Sequence, residues 1–326
     1  MSQQQNHVSS RGEQKGLLPL RHWALPLLFL ATFSAAAGFQ VARFKSGRLH
    51  LENRAPVRAA SYSSSSAPVS EAREAEYAEL SRLSPQQQAE RLLERAIHHQ
   101  EESLRLIPQY VERWRGRLRE TDLLFDLVLS ALKSDDLSVR TAAVEIDLAA
   151  NNLSKSPQSV ARLVEQIRKD PANRPLALWR LGALGNRGTE PQTVLATLLS
   201  YVRDRNENTR YWAVEGLAML GTDDTLDALL DRFAHDASSR VRERAACSLA
   251  KSGMFTKEQR LATVPELLNF LDDDSLDSAT RGWVYAALRV ITGAALGNDA
   301  NAWRNWWMHH DEARKPASRP AGTLLA

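Results

Sequence analysis

From about residue 71 onward, apolar positions recur with the spacing of an α-helix. Ser84-Pro85 supplies a helix N-cap and a first-turn proline, and the apolar residues that follow share one helical face as far as Pro108. A second stripe runs from Tyr110 to Leu118. Leu and Ala are abundant, whereas the aromatic and β-branched runs typical of strands are sparse. The pattern predicts an all-α protein.

Two segments share one skeleton. RYWAVEGLAMLG (Arg210–Gly221) and RERAACSLAKSG (Arg242–Gly253) both carry Arg first, Ala fourth, Leu eighth and Gly twelfth. Related segments open at Arg140, Arg174 and Arg281, so that the five arginines lie 34, 36, 32 and 39 residues apart. Spacings of this size without strand signals predict a helical solenoid.

An amphipathic segment precedes each skeleton, which predicts about five pairs of helices. Asp or Asn stands in the turn before most of the second helices, where turn and capping residues are favoured. The first-helix segments are DLLFDLVLSALK, PQSVARLVEQIRK, PQTVLATLLSYVRD, DTLDALLDRFAHD and ATVPELLNFLDDD.

The skeleton has a physical interpretation. On a helix the fourth and eighth places point the same way, so a small residue at one place allows close packing while Leu at the other fills the core. The glycine is expected to end the helix in a left-handed cap. The arginine lies at the wrong end of the helix dipole, so we expect an Asp of the adjacent turn to pair with it.

Two segments carry a family resemblance: DDLSVRTAAVEI (Asp135–Ile146) and DASSRVRERAACSLAKSG (Asp236–Gly253). They resemble HEAT repeats, including the short repeats of the phycobilisome-lyase type, over residues 121–293. The resemblance implies an α-solenoid whose second helices line a concave surface, and it is nearly silent on activity. The chain departs from the pattern at Asn151, at Pro175 and in the long gap before the last arginine.

The repeats are predicted to have helical caps. Residues 71–120 form the N-terminal cap, and 294–313 form a C-terminal capping helix that starts at Asn298 or Asp299. This end resembles those of other bacterial HEAT-type proteins, and residues 314–326 are interpreted as a disordered tail. The inner and rim surface of the capping helix is assigned to Trp303, Trp306 and Trp307.

The N-terminal residues predict a membrane anchor. Residues 23–42 carry no charge, and at ~1.5 Å per residue they match the ~30 Å bilayer core. Residues 1–22 are a polar arm, and 43–70 are a Ser/Ala/Pro-rich disordered linker. A cleaved signal peptide ending at Ala35–Ala37 is the alternative, and a buried core helix is a third. Five Lys/Arg follow the segment and three precede it, which favours a cytoplasmic body, although the opposite orientation remains open.

The positive charge lies in the N-terminal arm. The chain carries a formal net charge of +3, but residues 1–62 contribute +6 and the remainder about −3. A body without net positive charge does not fit the electrostatics of nucleic-acid binding, so no nucleic-acid partner is predicted. The single cysteine, Cys247, excludes an intrachain disulfide and a cysteine-based metal cluster.

Several fragments resemble chemical motifs but lack the required context. SLAK (Ser248–Lys251) matches a serine-acylase pattern without its companion motifs, and GALGNRGT follows a helix rather than a strand. DDDSLD lacks the glycine and closing glutamate of a calcium loop. The pairs His98-His99 and His309-His310 have adjacent members that point about 100° apart on a helix. No catalytic residue, metal or cofactor is predicted.

A strip of large side chains is the candidate binding site. The third and sixth places of each second helix point away from the core and, by the resemblance, toward the concave surface. Trp, Tyr and Arg dominate binding hot spots, so we expect a peptide or helix of a protein partner there. The alternative is that each Trp packs as ordinary core. The strip comprises Trp179, Tyr211, Trp212, Glu215, Arg244 and Trp283.

The sequence therefore predicts a membrane-tethered, non-catalytic scaffold or adaptor that binds a protein partner through its concave face. The alternative is an enzyme or lyase-like subunit that acts on a bound chromophore or base-like ligand, as HEAT-like folds in phycobilin lyases and alkyl-base glycosylases imply. A purely structural envelope protein is the third hypothesis.

Overall fold

The computed structural model describes residues 76–314, with side chains as far as 310. The predicted arm, anchor and linker lie outside the described residues, as does nearly all of the predicted tail. Every described residue belongs to one compact unit, 63–326. No strand occurs between 76 and 314, so the all-α prediction is confirmed for this part of the chain.

The helices follow one another through short turns. They are α1 (76–81), α2 (Pro85–Ile97), α3 (Glu101–Trp114), α4 (Asp122–Leu132), α5 (Leu137–Ala150), α6 (Pro157–Lys169), α7 (Arg174–Asn186), α8 (Pro191–Tyr201), α9 (Glu207–Leu220), α10 (Leu226–His235), α11 (Ser239–Cys247), α12 (Lys257–Ala262), α13 (Val264–Phe270), α14 (Ser278–Thr292) and α15 (Ala300–Arg314). A 3₁₀ turn, Asp223–Thr225, precedes α10, and a π-helical turn, Ser248–Ser252, extends α11.

Five successive helix pairs, consistent with an α-solenoid, make up the body: α4–α5, α6–α7, α8–α9, α10–α11, and α12 with α13 followed by α14. We number these pairs one to five. In pair five the first helix is divided at Thr263, and Pro265 opens the second piece. Proline lacks a backbone N–H and interrupts a continuous helix, which is consistent with the break between α12 and α13.

The caps of the second helices follow the sequence. The side chains of Asp136, Asn206 and Asp277 accept hydrogen bonds from backbone N–H groups in the first turns of α5, α9 and α14. At the C-terminal end, Gly221 and Gly293 have φ of 64° and 75°, the left-handed conformation expected of a glycine cap.

The glycine-cap prediction is wrong for two other helices. Gly185 lies inside α7, where it is buried, and the left-handed glycine follows at Gly188. Gly253 is extended, with φ −73° and ψ 159°, because the π-helical turn ends α11 through a hydrogen bond from the Gly253 N–H to the Ser248 carbonyl.

The predicted N-terminal cap also differs in its helix boundary. A continuous helix was expected as far as Pro108, but α2 ends at Ile97 and His99 takes a left-handed φ of 56°. Pro108 then lies inside α3. The Trp114 indole, fully buried, donates to the side-chain oxygen of Gln88 at 2.9 Å and joins the two helices. This pair packs on α4 and α5.

At the other end, α15 packs against α13, and Trp303 of α15 is fully buried. The Trp303 indole N–H donates to the Gly297 carbonyl at 2.9 Å, and the Asp299 side chain accepts the N–H groups of Asn301 and Ala302. Trp306 and Trp307 are half-buried. The Trp306 ring stacks on the His310 ring, with centroids 4.6 Å apart.

Candidate binding surface

Two of the skeleton arginines, Arg210 and Arg242, join neighbouring pairs through aspartates, and we call these two contacts the arginine–aspartate ladder. Arg210 of pair three donates two hydrogen bonds of 2.9 Å to the two carboxylate oxygens of Asp236, in the turn of pair four. Arg242 of pair four reaches Asp277 of pair five at 2.6 Å and donates to the Asp236 backbone carbonyl at 2.7 Å. The predicted pairing with an Asp of the adjacent turn is therefore present at these two positions.

Asp236 is the most enclosed carboxylate of this ladder, with 2 % of the residue exposed. Burial raises its pKa, but the bonds from Arg210 and from the Ser238 N–H outweigh that effect and hold the pKa below its usual value. The remaining arginines differ. Arg174 donates to the Ile167 carbonyl of its own pair and lies over the Tyr201 ring. Arg281 is in the last pair of the array, and Arg140 binds a distant segment described below.

The predicted binding strip is mostly enclosed. Tyr211, Trp212 and Glu215 of α9 are 6 %, 8 % and 8 % exposed, and Arg244 of α11 is 5 % exposed. Every residue of 211–220 is buried. Trp179 and Trp283 are half-buried. The four buried residues form the closed part of the strip, whereas Trp179 and Trp283 remain partly accessible. The role of these residues in binding stays a prediction.

The closed part is held by a buried ion pair. The Arg244 Nε lies 2.6 Å from a Glu215 carboxylate oxygen, and the Arg244 guanidinium also bonds to Ser252. Burial raises the pKa of Glu215, and Arg244 partly offsets this effect. The Arg240 guanidinium covers the Tyr211 ring at 4.3 Å. These polar groups satisfy one another, which suits a structural role for Glu215 and Arg244.

Two interior glycines explain why α9 is buried. A Cβ at Gly182 of α7 would lie 2.0 Å from the Gly216 carbonyl oxygen of α9, and a Cβ at Gly216 would lie 2.7 Å from the Leu178 carbonyl oxygen. The backbones of α7 and α9 therefore meet directly. The sequence analysis missed this contact, although an isolated glycine inside a helical pattern is the signal for it.

The last second helix has a more accessible face. Gly282 of α14 has open space around its Cβ position, and its neighbours Trp283 and Ala286 are half-buried. The packed helix α11 contributes Arg240, Glu243 and Cys247, all half-buried. We refer to these six residues as the α11–α14 surface.

Residues 161–250 match the family model of HEAT repeats, described as HEAT_2. The match supports a HEAT-repeat protein. It covers most of pairs two to four, including the Arg210–Asp236 pair and the contact between Gly182 and Gly216. No curated protein and no solved structure matches the chain.

The other sequence motifs take up structural positions in these HEAT-like pairs. SLAK lies in the π-helical turn, and Asp277 of DDDSLD caps α14. His99 lies 3.6 Å from Asp136. Between residues 76 and 310, no group of three or more His, Cys, Asp or Glu side chains is placed to hold a metal ion. Among the described helices, none has both the length and the apolar character needed to cross a bilayer.

Proposed function

We propose that this protein is a HEAT-repeat scaffold that binds a protein partner through the α11–α14 surface. The observation that carries the proposal is the pairing of a half-buried tryptophan, Trp283, with the open space at Gly282 on the last second helix. HEAT-like repeats stack through their second helices, and α14 retains accessible apolar surface of the kind that α9 buries.

The composition of the surface suits a helix or peptide of another protein. Trp283 offers a large apolar contact, Gly282 and Ala286 permit close approach of a backbone, and Arg240 with Glu243 supplies polar contacts at the rim. This surface replaces the buried residues Trp212 and Glu215 as the place where a partner docks. The proposal assigns no catalytic step to the chain.

We further propose that residues 23–42 tether the scaffold to a membrane. The support is the uncharged segment itself, flanked by Trp23 on one side and by Arg43 and Lys45 on the other. Residues 43–70 would then serve as the linker between the membrane and the repeats.

The test of the docking surface uses Gly282→Glu, because a Cβ at this position meets no atom within 4 Å and we therefore expect the variant to fold. The matched control is Ala196→Glu on the exposed side of the first helix α8. Each tagged full-length variant is crosslinked in native membranes and captured. We expect a discrete partner with the parent and with Ala196→Glu, and its loss with Gly282→Glu. Equal capture by all three would place the docking surface elsewhere, and no discrete partner would contradict the scaffold.

The tether is tested separately by carbonate extraction of membranes from cells that express the full chain or a chain without residues 23–42. Retention of the full chain in the pellet and release of the shortened chain would support an anchor. Release of both would contradict it. N-terminal sequencing of the retained protein distinguishes an anchor from a cleaved signal peptide.

A further inference from the structure

Arg140 differs from the other skeleton arginines in the distance along the chain to its partners. Its guanidinium donates to the Lys251 carbonyl at 2.7 Å and to the Gly253 carbonyl at 3.0 Å. Arg140 is 4 % exposed. Arg174 bonds within its own pair, and Arg210 and Arg242 reach the next pair. Arg140 joins pair one to the end of pair four and so passes over pairs two and three.

This contact is unusual for a repeat array. In an open solenoid each repeat contacts only its neighbours, and stability is the sum of the repeats and their interfaces. A contact between pairs one and four closes the array on its second-helix side. A second link supports it, because the Lys251 ammonium lies 3.6 Å from an Asp135 carboxylate oxygen in the turn of pair one.

The receiving end is the π-helical turn Ser248–Ser252. The Arg260 side chain of α12 also binds this turn, donating to the Lys251 carbonyl at 2.7 Å and to the Gly253 carbonyl at 2.6 Å. Two guanidinium groups from different pairs thus share the same carbonyl oxygens. π-Helical turns are rare and occur frequently at functional positions.

The contact brings two positively charged side chains, Arg140 and Arg260, to the same carbonyl oxygens. Burial, together with the nearby charge of Arg140, lowers the pKa of Arg260 to about 10, and burial also lowers the pKa of Arg140. Both side chains donate these hydrogen bonds to backbone carbonyls at the negative end of the α11 dipole. If pair one moves away, Arg140 regains its hydration and its repulsion from Arg260 ends, which offsets part of the lost hydrogen bonding.

We propose that Arg140 is a latch that closes the repeat array by holding pair one against the π-helical turn of pair four, and that its release opens the second-helix side of the array. The latch gives the protein two arrangements of the same helix pairs, closed and open. Arg260 completes the carbonyl site but does not join pair one to pair four.

The latch is tested by measuring a distance across it. In full-length protein with Cys247→Ser, which removes the one native cysteine, spin labels are placed at Ser138→Cys and Lys257→Cys. Both positions are exposed; Ser138 is two residues from Arg140, and Lys257 is three residues from Arg260, which binds the same carbonyls. Pulsed electron–electron double resonance is recorded for this parent, for Arg140→Gln, and for the control Arg174→Gln, which alters an arginine whose side chain donates to the Ile167 carbonyl inside pair two.

We expect one short, narrow distance in the parent and in Arg174→Gln, and its loss in favour of longer, broader distances in Arg140→Gln. Arg260→Gln distinguishes a latch from a general packing role, since it removes a buried arginine at the same carbonyls without separating the two pairs and should keep the short distance. The latch is overturned if Arg140→Gln folds and retains the short distance, or if Arg260→Gln loses it to the same extent.

Discussion

Helices α9 and α14 share one sequence skeleton but occupy different environments. Both start after a capping Asn or Asp and end in a left-handed glycine. Yet 211–220 of α9 is buried throughout, whereas α14 keeps Gly282 in open space beside the half-buried Trp283. The skeleton thus specifies how a second helix starts, packs and ends, while its position in the array specifies how much of it remains accessible.

The largest difference is expected for the two tryptophans at the third place. Trp212→Ala should lower the free energy of unfolding by about 3–5 kcal/mol, because it leaves a cavity in the closed part of the array. Trp283→Ala, at the same place of α14, should cost roughly half as much or less, because its side chain is already partly in water. Urea unfolding of both variants measures the difference, and equal costs would contradict the comparison.

The same substitution, glycine to alanine, is expected to change stability in opposite directions at Gly182 and at Gly282. Gly182→Ala forces the backbones of α7 and α9 apart and should cost about 3 kcal/mol. Gly282→Ala meets no neighbour and should stabilise α14 by about 0.5–1 kcal/mol, the usual helix-propensity gain over glycine. Thermal melts of the pair provide the measurement. A destabilised Gly282→Ala would show that the α14 face is covered.

The sixth place of the skeleton allows a comparison between the buried Glu215 of α9 and the half-buried Ala286 of α14. Glu215→Met removes the carboxylate acceptor that faces the buried Arg244 guanidinium and should cost about 2 kcal/mol, because a buried donor loses its hydrogen-bonding group. Ala286→Gln, at the equivalent place of α14, adds a polar side chain at a half-exposed position and should change stability by less than about 0.5 kcal/mol. Chemical unfolding at neutral pH checks both variants, and an unchanged stability of Glu215→Met would argue against the contact between Glu215 and Arg244.

The smallest effect is expected from pH. Because the pKa of Asp236 is lower in the folded protein than in the unfolded chain, its ionised form stabilises the fold above about pH 4, and this contribution is lost as the pH falls through the folded pKa. Glu215 has the opposite sign: its pKa is raised by burial, so its contribution falls as the pH rises above the unfolded value.

Unfolding free energies of the parent and Asp236→Asn, measured from pH 7 to pH 2.5, test this assignment. The difference between the two proteins should be largest near neutral pH and should shrink on acidification. A difference that stays constant over this range would mean that Asp236 does not titrate against Arg210.

The local features of the fold were accessible from the sequence. The caps at Asp136, Asn206 and Asp277 follow from short polar side chains before an apolar periodic run, and the Arg210–Asp236 pair follows from a cation at the wrong end of a helix dipole. Each of these depends on residues within one repeat or its neighbour, which a periodic sequence pattern reports directly.

The long-range features were not accessible. The burial of Trp212 depends on how closely α7 and α9 approach each other at Gly182 and Gly216. The two carbonyls that Arg140 binds lie 111 and 113 residues further along the chain. Periodicity reports which face of a helix is apolar, but it does not report curvature of the array. The predicted strip therefore mixed core residues with accessible ones.

Hydroxyl-radical footprinting of the full-length protein tests the central claim most directly, because tryptophan oxidation at each site is read from one mass spectrum. The closed α9 and the accessible α14 predict that Trp283 is oxidised several-fold faster than Trp212, with the fully buried Trp303 as the slow internal reference. Oxidation of Trp212 at the rate of Trp283 would contradict the division of the second-helix side into a closed and an accessible part.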